Sequence, residues 1–170
     1  MVLKAVSILT FTKFFLALVL FFIAASCFSQ EKIFYHYGRE EGLSQQSVTA
    51  ITKDSKGYLW LGTQDGLNRF DGNSFVVYKN EIGNDKSISG NFINALLDND
   101  NLIWIGTSNN GICYYNKKFN NFKSIGKASS NCTALAKDKK GNVYAAYLNN
   151  GLSVFSIREG SLHEDKIEFF

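Results

Sequence analysis

The side chains able to do chemistry in this chain are few, and their spacing argues against most of it. The two histidines, His36 and His163, have no Cys, Ser or Asp at a spacing used in nucleophilic catalysis, so both read as solvated or packing residues. Asp54, Asp98 and Asp138 recur at regular intervals. Recurrent carboxylates can ligate calcium or act as general acids and bases. Each of these, however, stands six residues before an aromatic residue, Trp60, Trp104 or Tyr144, and that periodic placement reads as the start of a hairpin turn. Of the cysteines, Cys113 and Cys132 lie in apolar, strand-like runs and read as buried free thiols rather than a bridge. No CxxC or Cys/His cluster with metal spacing occurs. The run DGLNRFDG resembles a phosphate-binding loop but lacks the Lys-Ser/Thr pair and the helix that such a loop needs. Asn68, Arg69, Asn109, Asn110, Asn149 and Asn150 are suited to sugar hydroxyls, yet a role in turns accounts for each. The residues therefore predict no catalytic set, no metal site and no cofactor, and they name no ligand-binding residue.

The elements around these residues are more informative. The chain is 45% hydrophobic, 15% aromatic and 19% charged, with a formal charge of +3. This is globular composition. Its lysines are scattered through predicted turns rather than clustered on one face, which argues against a nucleic-acid partner. The first 29 residues stand apart: Lys4 and Lys13 precede an uncharged run at 14–28, and Cys27 and Ser29 occupy −3 and −1 of a cut before Gln30. That is the layout of a signal peptide. The uncharged run of 15 residues is short of the roughly 20 needed to span a bilayer, so export with cleavage is favoured over an inner-membrane anchor. A lipoprotein site at Cys27 is weaker still, because Ala24 stands where a Leu-like residue is expected. The rest of the chain is expected outside the cytoplasm, in the periplasm or beyond.

Residues 30–170 repeat one unit three times. Trp60, Trp104 and Tyr144 are 44 and 40 residues apart, and Gly66, Gly111 and Gly151 are 45 and 40 apart. Four residues beyond each of those glycines stands an aromatic, Phe70, Tyr115 or Phe155. Upstream, Ala50, Ala95 and Ala134 align, at 10, 9 and 10 positions before the leading aromatic, so the second copy lacks one turn residue. Each unit reads as four short strands bounded by Asp/Asn/Gly clusters; in the first copy the turns fall at Asp54–Gly57, Gln64–Gly66 and Asp71–Asn73. A unit of about 40 residues with four antiparallel strands is a β-propeller blade.

The fold expected is therefore all-β, with antiparallel four-stranded blades at about 43–80, 91–125 and 130–170, three blades of an incomplete ring. One such sheet is marginal alone, and stacking would bury Trp60 and Trp104 at about 1.5–3 kcal/mol each. Gly62 and Gly106 would let neighbouring backbone come close. In the third copy Tyr144 replaces Trp and Ala146 replaces Gly, which predicts a more loosely specified blade. The block IFYHYG at 33–38 is read as a strand that closes a blade from the other terminus. Three blades leave sheet faces open, so the chain reads as a fragment that folds poorly and aggregates alone.

These residues also carry a family resemblance. Residues 41–78 closely resemble the opening blade of the two-component regulator propeller family, through Asp54, Gly57, Leu59, Trp60, Leu61, Gly62, Thr63, Gly66, Leu67, Arg69 and Phe70. The segments 91–122 and 131–155 look like the blades that follow. The resemblance implies an extracytoplasmic sensor of a hybrid two-component regulator of Bacteroidetes type, one that senses oligosaccharides. Its implied partners are further blades, a downstream histidine kinase and a second copy of the full-length protein. This chain has no phosphoacceptor segment and no ATP lid, so it is not itself expected to be an enzyme. The alternatives are a secreted non-enzymatic scaffold or binding propeller, a gene remnant, and, less favoured, a propeller lyase or hydrolase.

Overall fold

The computed structural model describes residues 13–19, 32–125, 130–158 and 161–167. The chain divides into two units, Met1–His36 and Tyr37–Phe170. In the first, residues 13–19 are helical and 32–36 have no regular structure. No helix among the described residues is long and apolar enough to cross a membrane. The expected cleavage site at Cys27–Gln30 lies outside the described residues.

The second unit is built from three four-stranded antiparallel sheets, each laid down in chain order. The first holds β1 (Val48–Lys53), β2 (Leu59–Thr63), β3 (Gly66–Phe70) and β4 (Phe75–Tyr78). The second holds β5 (Ile93–Asn99), β6 (Leu102–Thr107), β7 (Ile112–Asn116) and β8 (Asn121–Ile125). The third holds β9 (Cys132–Lys137), β10 (Val143–Tyr147), β11 (Gly151–Arg158) and β12 (Ser161–Ile167). The register repeats as well: Ala50 pairs with Gly62, Ala95 with Gly106 and Ala134 with Ala146. A bulge falls beside each of these pairs, at Thr49, Asn94 and Thr133. A bulge re-aims a side chain out of the pleat. Here it lets Thr49 Oγ1 donate to the carbonyl of Ile93, and Asn94 Nδ2 to that of Cys132 at 3.1 Å, each bond joining one sheet to the next.

The sheets form an open series, first against second and second against third. The first seam is packed by Trp60, Leu67 and Tyr78 against Ile93, Ile103, Ile105 and Tyr115. The second is packed by Trp104 and Ile112 against Cys132, Val143, Ala145 and Phe155. The two landmark aromatics of the repeat meet across each seam, Trp60 with Tyr115 at 5.1 Å between centroids and Trp104 with Phe155 at 5.3 Å. Backbone stitches the seams too. The amide of Gly66 donates to Asn91 O at 2.8 Å and that of Gly111 to Ser130 O at 2.9 Å. Gly66 holds φ +118°, and a Cβ there would lie 2.7 Å from the Tyr78 carbonyl oxygen. Both facts require glycine.

Gly62 and Gly106 do permit a close approach, but by a side chain rather than by backbone. A Cβ on Gly62 would sit 2.6 Å from Ile93 Cγ2, and one on Gly106 would sit 2.5 Å from Cys132 Sγ. Ile93 and Cys132 are fully buried.

Two expectations are corrected. First, Asp98 does not start a turn. The second sheet closes its first hairpin over only Asp100 and Asn101, with Asn99 opposite Leu102, so Asn99 occupies the place of Asp54. Asp98 lies inside β5 opposite Ile103 and pairs with Lys117 at 2.6 Å. The missing residue of that copy shifts the acidic side chain to the other face of the strand, because a one-residue slip reverses side-chain direction. Second, residues 33–38 belong to no strand; a strand needs a partner edge for its amides and carbonyls, and no described strand pairs with this stretch. Its Tyr37 instead packs on Phe70 at 4.7 Å and on Phe75 at 6.2 Å, taking the place on Phe70 that Trp60 takes on Tyr115. The last strand, β12, begins at Ser161, so His163 lies within it opposite Ser156 and is exposed.

Candidate functional site

The connection from β4 to β5, residues 79–92, is much longer than the 126–131 connection from β8 to β9. The extra length makes a structured loop. Glu81 N donates to Ser87 Oγ at 3.0 Å, Ser87 N to Asn84 O at 3.1 Å, and Asn84 Nδ2 to Glu81 Oε2 at 2.6 Å. Its ends are tied by Asn80, whose N–H donates to Asn91 Oδ1 at 2.7 Å and whose Nδ2 donates to Ile88 O at 2.6 Å. Ile88 is fully buried in the first seam. The following residue, Ser89, donates its N–H to Cys113 Sγ at 3.5 Å. This anchor repeats an earlier one. Leu43 is buried, and Ser44 N donates to Asn68 Oδ1 at 2.9 Å, on the matching position of β3.

Between this loop and the second sheet lies a groove of about 510 Å³. That volume falls in the range of small-molecule sites. The loop supplies Asn80, Glu81, Ile82, Asn84, Asp85 and Ser87–Ser89, and the second sheet supplies Asn110, Ser124 and Ile125. Ser89 Oγ is buried without a hydrogen-bond partner. Asn110 is held close to the loop, since a Cβ on Gly90 would lie 2.6 Å from its Oδ1. The groove can offer amide, hydroxyl and carboxylate groups beside Ile82, Ile88 and Ile125. It holds no nucleophile–base pair, and no group of metal-ligating side chains occurs among the described residues.

Of the residues singled out in the sequence, only Asn110 reaches this groove. Asn109, Asn149 and Asn150 are exposed at turn tips. Asn68 is fully buried; its Nδ2 donates to Ser44 Oγ at 2.9 Å and to Leu61 O at 3.3 Å. The Arg69 guanidinium lies over the rings of Tyr58 at 4.8 Å and Trp60 at 5.9 Å, a cation–π arrangement. Asp54 ties its turn, shaped by Gly57 at φ +92°, to the core aromatic. Its Oδ1 accepts from Lys56 N at 2.9 Å and Tyr58 N at 3.0 Å, and its Oδ2 from Trp60 Nε1 at 2.9 Å. Asp138 does the same for Lys140 N, Asn142 N and the Tyr144 hydroxyl. Trp104 Nε1, whose copy lost that Asp, is buried with no partner.

The thiols are equally unsuited to chemistry. Cys113 and Cys132 are buried and free. Burial pushes the Cys113 thiol up and raises that of Cys132 to about 12. The Tyr78 hydroxyl is likewise raised to about 12, by burial first and then by Tyr115. The linker at 79–92 carries no motif that marks it in the sequence. Its signal is length alone, set against the shorter connection in the next copy.

Repeated four-stranded sheets, stacked through Trp and Gly on one face and an aliphatic-aromatic set on the other, are the blades of a β-propeller. Residues 42–65 match the family described as two component regulator propeller. Over 70 residues, 40% of this chain, it is 44% identical to Histidine kinase P4 of Formosa agariphila. Among solved structures it is similar to the extracellular domain of a protein of B. thetaiotaomicron described as a hybrid two component system, with TM-score 0.66, 27% identity and 76% of this chain covered. A second extracellular domain from that organism, described as belonging to a one component system, matches at TM-score 0.59 and 24% identity over 74% of this chain. The chain spans 5% of the length of the curated relative and 19% and 17% of the two solved chains.

Proposed function

We propose that this chain is the ligand-sensing portion of an extracytoplasmic receptor of a two-component system, and that its ligand is an oligosaccharide fragment. The observation that carries the reading is the match of residues 42–65 to the regulator propeller family, beside 44% identity to a histidine kinase. The likeness to an extracellular domain supports a location outside the cytoplasm, reached through residues 1–29 as an export signal. The chain contributes binding rather than catalysis. Its partners in the full receptor are further blades, a histidine kinase and a second copy.

The groove between the 79–92 linker and the second sheet is the proposed ligand site. It is lined by the linker between two blades and by the second sheet, so a ligand touching both would favour one arrangement of linker against sheet over another. The shift can be no larger than the ligand's difference in affinity for the two arrangements. The test is a thermal-shift and calorimetric screen of oligosaccharides on the full chain, followed by Asn110→Ala. A binder should raise the melting temperature, and loss of the Asn110 amide should weaken it about five-fold, the worth of one hydrogen bond. If no oligosaccharide in a broad panel binds, the oligosaccharide reading is wrong. If one binds with Asn110→Ala unaffected, the site lies elsewhere.

A further inference from the structure

The outward faces of the first and third sheets are the two halves of one seam. We infer that a second copy of this chain docks on them head to tail, the third sheet of each copy against the first sheet of the other, closing a ring of six sheets. In the first sheet, Trp60, Leu67 and Tyr78 face the first seam. The opposite face therefore shows Val48, Ile51, Leu59, Leu61 and Val77, as the ladder pairs Val48–Thr63, Ile51–Leu61 and Asn68–Val77 require. The matching residues of the second sheet, Ile93, Leu96, Ile103 and Ile105, are packed into the first seam, whereas Ile51 is 61% and Val48 42% exposed. In the third sheet, Cys132, Val143, Ala145 and Phe155 face the second seam. Its opposite face shows Tyr144, Ala146, Leu152 and Val154, bordered by the exposed Ala134 and Ala136. Tyr144 stands where Trp60 and Trp104 stand, and Leu152 stands where Leu67 and Ile112 stand.

The polar links of a seam are present on both faces as well. At the first two bulges a side chain reaches the next sheet, Thr49 to Ile93 O and Asn94 to Cys132 O. The third bulge residue, Thr133, is exposed and donates within its own sheet to Ala146 O at 3.3 Å. The carbonyl that matches those of Ile93 and Cys132 is that of Val48. Lys137 crosses the second seam to Asp98 O at 2.8 Å. Its match is Lys53, exposed on the outward row of the first sheet. On a second copy Lys53 would meet the Lys137 carbonyl beside the Asp138 carboxylate, a cation set against an anion. Propellers have roughly four to eight blades. One copy has three sheets, so two copies give six and three would give nine. An interface between unlike faces either closes into a ring or runs on as a filament, and two copies are the number that closes here.

This seam is looser than the internal ones. Ala146 stands in the place of glycine, although Val48 opposite it is smaller than Ile93. Tyr37 already lies on Phe70 at 4.7 Å, the ring that matches Tyr115 and Phe155, so Tyr144 must displace it. Further blades joined to the same chain would compete for both faces. The inference does not depend on the ligand reading.

Sedimentation velocity of the full chain over a dilution series tests it, with a monomer–dimer equilibrium expected. Ile51→Lys and Ala136→Lys charge opposite faces at exposed positions, so both should fold, which circular dichroism checks. Each variant alone should be monomeric where the parent is dimeric, because every seam of the ring then holds one blocked face. Mixed in equal amounts they keep one unblocked pair of faces and should form a dimer containing one of each. Ile82→Lys, at an exposed isoleucine outside both faces, should leave the parent dimer intact. Tyr37→Ala frees Phe70 and should tighten the dimer about three-fold or more, the worth of an aromatic pair. A monomer at every concentration, a dimer that survives either face variant, or a mixture that stays monomeric overturns the inference. So do open-ended polymers, a dimer weakened by Tyr37→Ala, and aggregation that Ile51→Lys and Ile82→Lys reduce alike.

Discussion

Replacing Gly106 with alanine should push apart the second and third sheets. The new methyl would lie 2.5 Å from Cys132 Sγ and 3.0 Å from Cys132 Cβ. Neither side can yield easily. Gly106 is pinned between Ala95 and Ile112 by pairing on both edges, and Cys132 is fully buried opposite Tyr147. Overpacking of this kind costs about 1–3 kcal/mol. Cys132→Ala removes the sulfur alone and should cost about 1 kcal/mol as a lost buried group. In the double variant the severe contact is gone, leaving a tight but tolerable 3.0 Å approach between the two methyl carbons. Its cost should therefore fall below the sum of the single costs by at least about 1 kcal/mol, the signature of residues in contact. The first seam supplies the contrast. A methyl on Gly62 would meet both Ile93 Cγ2 at 2.6 Å and Ile93 Cβ at 2.8 Å, so Ile93→Ala should rescue Gly62→Ala only in part. Urea unfolding followed by the fluorescence of the two buried tryptophans measures all of this, provided the slope of the transition stays constant. Additivity within about 0.3 kcal/mol for Gly106→Ala and Cys132→Ala would refute the seam contact.

Three further outcomes follow from the same structure. Trp60→Phe should cost about 1–2 kcal/mol more than Trp104→Phe, because Trp60 Nε1 donates to Asp54 while Trp104 Nε1 has no partner; equal costs in urea unfolding would contradict this. Asp98→Ala leaves the Lys117 ammonium, only 7% exposed in its side chain, without its anion and should cost about 3 kcal/mol, most of it recovered in Asp98→Leu/Lys117→Met. Asp138 is subject to burial, which raises its pKa, but donors from Asn142, Lys140 and Tyr144 bring it below the usual value on balance. Its stabilisation is therefore complete above about pH 4 and is lost as pH falls through the lowered value. Asp138→Asn should flatten that part of the acid limb, and an unchanged limb measured by thermal unfolding against pH would count against it.

Period and turn chemistry made the strands readable, because Trp60, Gly66 and Phe70 mark fixed places in a blade and recur as Trp104, Gly111 and Tyr115. What stayed hidden depends on register and on partners. Counting back six residues from Trp104 lands on Asp98, yet the ladder places Asn99 there, since a count along the chain cannot tell a shortened hairpin from a shortened strand. IFYHYG has the composition of a strand, but composition supplies no edge to pair with. HED at 163–165 looks like a loop because it is polar, whereas β12 has an exposed residue at His163 and tolerates it. The groove was the least visible feature. Glu81, Asp85 and Asn110 come together only because Ile88 is drawn into the first seam and pulls its loop against the second sheet.

The seams also explain why one position behaves differently in each copy. Val48, Ile93 and Cys132 occupy the same place, two residues before the aligned alanine. Ile93 and Cys132 are fully buried, while Val48 is 42% exposed. Hydrophobicity does not rank them that way, since cysteine is the smallest of the three. The difference is that Ile93 and Cys132 each face a glycine of the preceding sheet, Gly62 or Gly106. Burial at this position is thus a property of the seam, created by a missing Cβ on one side and a side chain on the other. The aromatic position follows the same logic: Tyr115 and Phe155 each take a tryptophan from the sheet before, and Phe70 takes Tyr37 from the segment that leads into the first sheet. A blade is therefore specified half by its own residues and half by its neighbour's. That is why the two tryptophan–glycine strands carry so much of the repeat's recognisable sequence.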